Sequence, residues 1–67
     1  MKLHEQRAVD EKAALDEKLA KLVVFFSTDT FAALSSGDKI LLQYQARAMK
    51  DYSDVLLVRI EKFKSHG

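Results

Sequence analysis

The chain has 67 residues, no cysteine, no proline, eleven basic against ten acidic side chains and a net charge of +1. Disulfides and thiolate zinc sites are therefore excluded, and the length allows one domain, 1–67, at most. The two signs of charge are interspersed along the chain without a basic block, so the electrostatic footprint of a nucleic-acid-binding protein is missing.

From Leu3 to Phe26 the pattern predicts a helix. Ala8, Leu15 and Leu22 form one heptad row, and Leu19 and Phe26 a second, in which Lys12 holds the earlier position. Glu17 and Lys21 stand in the favourable i,i+4 order. At the end of this helix Leu22 to Phe26 are apolar all round, a turn that one partner helix cannot cover and that points to self-association. The longest uncharged run, Leu22 to Thr28, falls far short of the ~20 residues of a membrane span, and residues 1–10 are too polar for a secretory signal. A cytoplasmic protein is expected.

Ser27-Thr28-Asp29-Thr30 is a break made of N-capping residues. Phe31 to Leu34 then reads as one helical turn that tucks Phe31 and Leu34 against Phe25 or Phe26. Ser35 with Asp38 three residues later resembles a capping box, and Gly37 offers the permissive backbone of a tight joint.

A second long helix is predicted over Asp38 to Lys64, with Leu42, Met49, Leu56 and Phe63 in a heptad row. It would be about 40 Å long and the first about 36 Å, at the ordinary helical rise. Similar lengths and a short link give an all-α antiparallel two-helix hairpin with a short helical joint. In that register Arg59 lies near Glu5, Gln6 or Val9, Tyr52 faces Ala13 or Ala14, and Gln45 falls near Ala20. Ser65-His66-Gly67 should fray. So small a hairpin is marginal alone, and a homo-oligomeric bundle, dimer or tetramer, is expected.

Catalytic motifs are lacking. His4-Glu5 begins like a zinc-protease helix, but Ala8 stands where the second histidine belongs. His4 and His66 read as surface residues rather than a metal pair. Asp10-Glu11 and Asp16-Glu17 read as a solvated face, with nothing to desolvate them. Ser27, Ser35, Ser36 and Ser53 have no histidine placed to activate them, and there is no glycine-rich phosphate loop. A non-enzymatic protein without cofactor or metal is expected.

One feature is not generic. Gln45, Tyr52 and Arg59 recur every seven residues beside the apolar row. Two readings fit them. In the first they are structural, with Tyr52 bonded to a carboxylate of the first helix and Arg59 to Glu5 or Asp10. In the second they face a cleft between subunits, where tyrosine stacks on a base, arginine pairs with a phosphate and glutamine reads a base edge. Tyr44 is a second candidate for stacking, Lys12 and Lys18 would add charge, and Arg47 and Lys50 belong to the solvated face.

The series LDEKLAKL (Leu15 to Leu22), FF-STDTF-AAL (Phe25 to Leu34) and LLQYQARAMKDYSDVL–RI (Leu41 to Ile60) resembles a family of very small phage proteins named after a crAss-like phage. The resemblance runs from about Glu11 to Ile60. It rests on Leu41-Leu42, Gln45, Met49, Tyr52, Leu56 and Arg59-Ile60, and departs at Gly37 to Ile40, where acidic residues or glutamine would be expected. It implies a short helical hairpin acting as a counter-defence factor in an infected host cell. Some proteins of this kind resemble nucleotide sponges, oligomers that sequester cyclic oligonucleotide or cyclic ADP-ribose-type immune signals. On that reading Arg59 and a lysine bind phosphate, Tyr52 or Tyr44 stacks, and Gln45 selects the base. The alternative is a protein-binding module whose apolar Val23–Leu34 surface masks a host defence protein. A structural accessory protein without a ligand is a third possibility.

Overall fold

A computed structural model describes residues 2–66, with side chains described through Lys64. It contains α1 (Leu3–Phe25), α2 (Asp29–Ala32) and α3 (Ser36–His66), arranged as a rod of 49 × 14 × 14 Å. The two long helices run antiparallel. His4 meets Phe63, Glu11 meets Tyr52, and Lys12 and Asp16 meet Ser53, so α1 numbers rise as α3 numbers fall.

Each boundary has a local cause. The Ser27 hydroxyl donates to the Val24 carbonyl at 2.8 Å and the Thr28 hydroxyl to the Phe25 carbonyl at 2.7 Å, each adding a second donor to a carbonyl of the last turn of α1 that already accepts the same residue's backbone N–H. Thr28 Oγ1 also accepts the Phe31 N–H at 3.2 Å and so caps α2. That capped turn is Asp29–Ala32, two residues earlier than the Phe31–Leu34 turn predicted, and its cap comes from the predicted capping stretch. The Phe31 ring then lies 5.9 Å from Phe25 and 5.0 Å from Phe26, while the Lys39 ammonium sits 5.9 Å above it.

Ser35 Oγ accepts the Asp38 N–H at 3.2 Å, the expected N-cap bond. As a result α3 starts at Ser36, and Gly37 belongs to its first turn with no positive φ. The predicted use of Gly37 as the permissive joint is therefore corrected: capping by Ser35 makes the turn. At the other end the α3 backbone stays helical through His66 instead of stopping at Lys64. The side chains of Ser65 and His66, and Gly67 as a whole, lie outside the described residues, and with them the predicted fraying of Gly67 and any pairing of His66 with His4.

The core is small and off-centre. Ala8, Leu56 and Ile60 are buried, with Leu56 fully so, and all three lie towards the open end of the hairpin. By the register above, Ala8 falls between the levels of Leu56 and Ile60, and its methyl group lets the helices approach closely enough to seal them. Leu15, Leu19, Leu22, Leu42 and Met49, nearer the joint, are half-buried. Val23 and Val24 are exposed, so one hairpin leaves the apolar end of α1 uncovered on its outer side. Leu56→Ala should destabilise the hairpin by about 2–5 kcal/mol, against about 0.5 kcal/mol or less for Val24→Ala, in urea unfolding followed by circular dichroism.

Candidate functional site

Tyr52 and Ser53 are neighbours about 100° apart round α3, so they reach across to α1 on opposite edges of the seam. On one edge the Tyr52 hydroxyl donates to the Glu11 carboxylate. On the other, Ser53 Oγ donates to Asp16 Oδ1 at 2.5 Å and accepts from the Lys12 ammonium at 3.0 Å. Lys12 also donates to Asp16 Oδ2 at 2.6 Å and closes a three-membered network. Ser53 is 5% exposed and has both donor and acceptor roles filled, so its hydroxyl is a structural group without a route to substrate.

The electrostatics follow from these contacts. The hydrogen bond to Glu11 holds the Tyr52 phenol above its ordinary range, helped by desolvation and the Glu11 charge, while the positive charge of Arg59 pulls the other way. Arg59 therefore shares the Tyr52 edge. Asp16 is held below the usual carboxylate range, first by its hydrogen bond from Lys12 and then by that from Ser53.

Gln45, Tyr52 and Arg59 are all exposed and occupy one row of α3. Lys18, seven residues after Glu11, lies exposed on the same edge of α1. Tyr44 is exposed and sits about 100° further round than Gln45, on the outer flank of α3. Lys12 is apart from them, on the opposite edge, with its ammonium committed to Asp16 and Ser53. The structure thus brings Tyr52, Arg59 and Lys18 to one edge and leaves Lys12 outside it.

The structural reading of the row holds for one residue of two. Tyr52 does bond a carboxylate of α1, and that carboxylate is Glu11. Arg59 does not pair as that reading expects. Glu5 accepts the Lys2 backbone N–H at 3.4 Å, Asp10 accepts from Gln6 Nε2 at 2.9 Å, and among the described residues Arg59 enters no ion pair. Glu11 and Asp16, read from sequence as solvated, are both engaged across the hairpin. The available signal was their position about one turn from the levels of Tyr52 and Ser53. His4 packs edge-on against Phe63 at 5.8 Å and 86°, and among the described residues no cluster of three metal-ligating side chains occurs.

What this edge offers is an aromatic face, a guanidinium and an amide in a row on α3, with a carboxylate acceptor facing them from α1. That defines a small helical hairpin with an exposed polar edge. The chain belongs to the Sequestin family, whose family model matches residues 2–62. The match exceeds the span from Glu11 to Ile60 carried by the sequence resemblance, and the family name suggests a sequestering function without saying of what. No curated protein and no solved structure matches the chain. No helix among the described residues is long and apolar enough to cross a membrane.

Both polar edges give pH predictions. A raised phenol contributes stability that is complete below the ordinary tyrosine value of 10.0 and is lost as pH rises through the raised one. Tyrosinate absorbance should show one component titrating above that value, and Tyr52→Phe should remove it. A lowered carboxylate contributes stability that is complete above 3.8 and is lost as pH falls through the lowered value. Asp16→Asn should therefore flatten the acid limb of the stability curve measured by thermal melts.

Proposed function

We propose that this protein is a non-enzymatic phage counter-defence factor that binds a cyclic nucleotide immune signal and sequesters it at clefts between the subunits of a homo-oligomer. It acts in the cytoplasm of the infected host cell. The reading is supported by the family's sequestering name, by the resemblance to small phage proteins and by the composition of the Tyr52 edge. The observation that carries it is the state of Arg59: a guanidinium exposed on a rigid helix, outside every ion pair among the described residues, beside a tyrosine already oriented by Glu11. A guanidinium held this way suits a phosphate diester, the oriented ring suits a base, and the Gln45 amide offers both donors and an acceptor to a base edge. Lys18 adds a second positive charge on the edge, while Tyr44, on the outer flank, stands apart from it. Glu11 rejects a fully anionic surface but accepts from a base N–H or a ribose hydroxyl. Two or three local cations suffice for the phosphates of one ligand, so the near-zero net charge is no obstacle.

Native mass spectrometry with cyclic di- and trinucleotides and cyclic ADP-ribose isomers tests this directly. One of these should be retained at a fixed ratio to subunits. Arg59→Ala should weaken that binding by about 10–100-fold, the value of one or two charge-assisted hydrogen bonds, while leaving the subunit number unchanged. Retention of none of them, or disassembly on the Arg59 change, would sink the proposal.

A second reading has its own observation. Val23 and Val24, 53% and 66% exposed, stand beside the Phe25–Phe26–Phe31 cluster, so the Val23–Leu34 region presents an apolar surface fit to mask a host defence protein. Val24→Asp spares the joint, which a change at Phe31 would damage. On this reading it should abolish co-purification of a host protein and leave nucleotide retention untouched.

A further inference from the structure

We infer that the outer face of α3 is a docking surface for a second copy of this chain, packed antiparallel. The α1–α3 seam uses one stripe of α3. A second stripe of the same period lies about 100° away, one residue earlier in each heptad. Leu41, Ala48 and Val55 recur every seven residues, and Tyr44, Asp51 and Val58 follow three positions on. Their spacing is that of a helix–helix seam, yet α1 covers only the other stripe. Leu41 is 66% exposed, Tyr44 65%, Val55 54% and Val58 51%.

Area and charge both point to a second copy. With Ile40, these side chains present roughly 500 Å² of apolar surface, close to the ~600 Å² that each partner buries at the lower end of specific interfaces. The face is long and nearly straight, which suits another long helix. A parallel pairing would set Asp51 beside Asp51 of the partner subunit, two like charges inside an apolar seam. An antiparallel two-fold axis midway between Ala48 and Asp51 offsets the two Asp51 side chains by about 4.5 Å along the seam. It seats Asp51 against the partner's Ala48, Tyr44 against the partner's Val55 and Leu41 against the partner's Val58. The same register brings Arg47 within about 1.5 Å of the level of the partner's Asp51, where it offsets the remaining repulsion as an attractive pair at the rim. One register therefore pairs the apolar positions and gives each Asp51 a cation.

The dimer stands on these residues alone. Its consequence for ligand binding rests on the proposed function. Within one copy the row from Gln45 to Arg59 spans about 21 Å, too long for a single small nucleotide. In the antiparallel register the partner's Gln45 falls within ~3 Å of the level of Tyr52, on the same side of the interface as Arg59. The three side chains then converge from two copies.

Analytical ultracentrifugation of the full chain without ligand should give a dimer or an even multiple of it. Val55→Glu should halve the mass of the dimeric unit while circular dichroism shows the helices retained. A monomeric wild type, or a dimer indifferent to Val55→Glu, would overturn the interface. The orientation has an independent test that does not depend on the folding of that variant. The chain has no cysteine, so Leu41→Cys and Val58→Cys each introduce a single thiol. Mixed in equal amounts under mild oxidation, they should form mainly the mixed disulfide, identified by mass; predominance of either homodisulfide overturns the antiparallel register. A dimer that passes these tests but retains no nucleotide would leave this interface standing and remove only the ligand.

Discussion

The hydrogen bonds made by Tyr52 and Ser53 hold the two long helices in register, and the rest of the structure depends on that. An apolar heptad seam is nearly indifferent to a slide of seven residues, about 10 Å, because one Leu-rich level resembles the next. Ser53 is not indifferent. Its buried hydroxyl is satisfied only opposite Lys12 and Asp16, and a slide would leave it unpaired at a cost of about 1–3 kcal/mol. Tyr52 with Glu11 makes the same choice on the other edge. A polar residue inside a helical seam that selects one register at some expense in stability is a known device of coiled coils, and here it works within one chain.

That register determines where the core forms. With residues 52 and 53 fixed against 11, 12 and 16, Ala8 arrives where Leu56 and Ile60 need a close neighbour, and burial concentrates there. Near the joint the same helices carry larger side chains, which hold them at half-burial, and the short aromatic cluster of Phe25, Phe26 and Phe31 closes the end instead. Among the described residues three apolar side chains are buried, a thin core for a chain of this length. The need for further burial and the unpartnered stripe on α3 are two sides of one shortage.

The helical periodicity was enough to read the hairpin, since proline is absent and the capping residues cluster in one short stretch. The bounds of α1 agree within one residue because Ser27 and Thr28 announce the stop. The start of α3 was harder: Gly37 suggests a joint, yet Ser35 captures the Asp38 N–H and the helix begins before the glycine. In the site, the Gln45–Tyr52–Arg59 row was legible from its seven-residue step. The allegiance of Lys12 was not, because a lysine on the seam can turn to either edge, and only the position of Ser53 in three dimensions shows which. Glu11 and Asp16 escaped notice for a related reason. Charge pairs on one helix can be read from spacing, whereas pairs across a hairpin need the register first.

On the proposed function this hairpin holds a molecule and does not transform it. Catalysis needs groups whose protonation changes at working pH and a site that excludes water. Here the Asp16 carboxylate is held below its ordinary range and the Tyr52 phenol above it, both away from neutral pH. Each shift has its cause in a hydrogen-bond partner, Lys12 and Ser53 for Asp16 and Glu11 for Tyr52. The Arg59 guanidinium offers five N–H donors and no acceptor. The Tyr52 edge thus combines donors, an acceptor and a ring held by Glu11, a set that fits the sequestration suggested by the family's name.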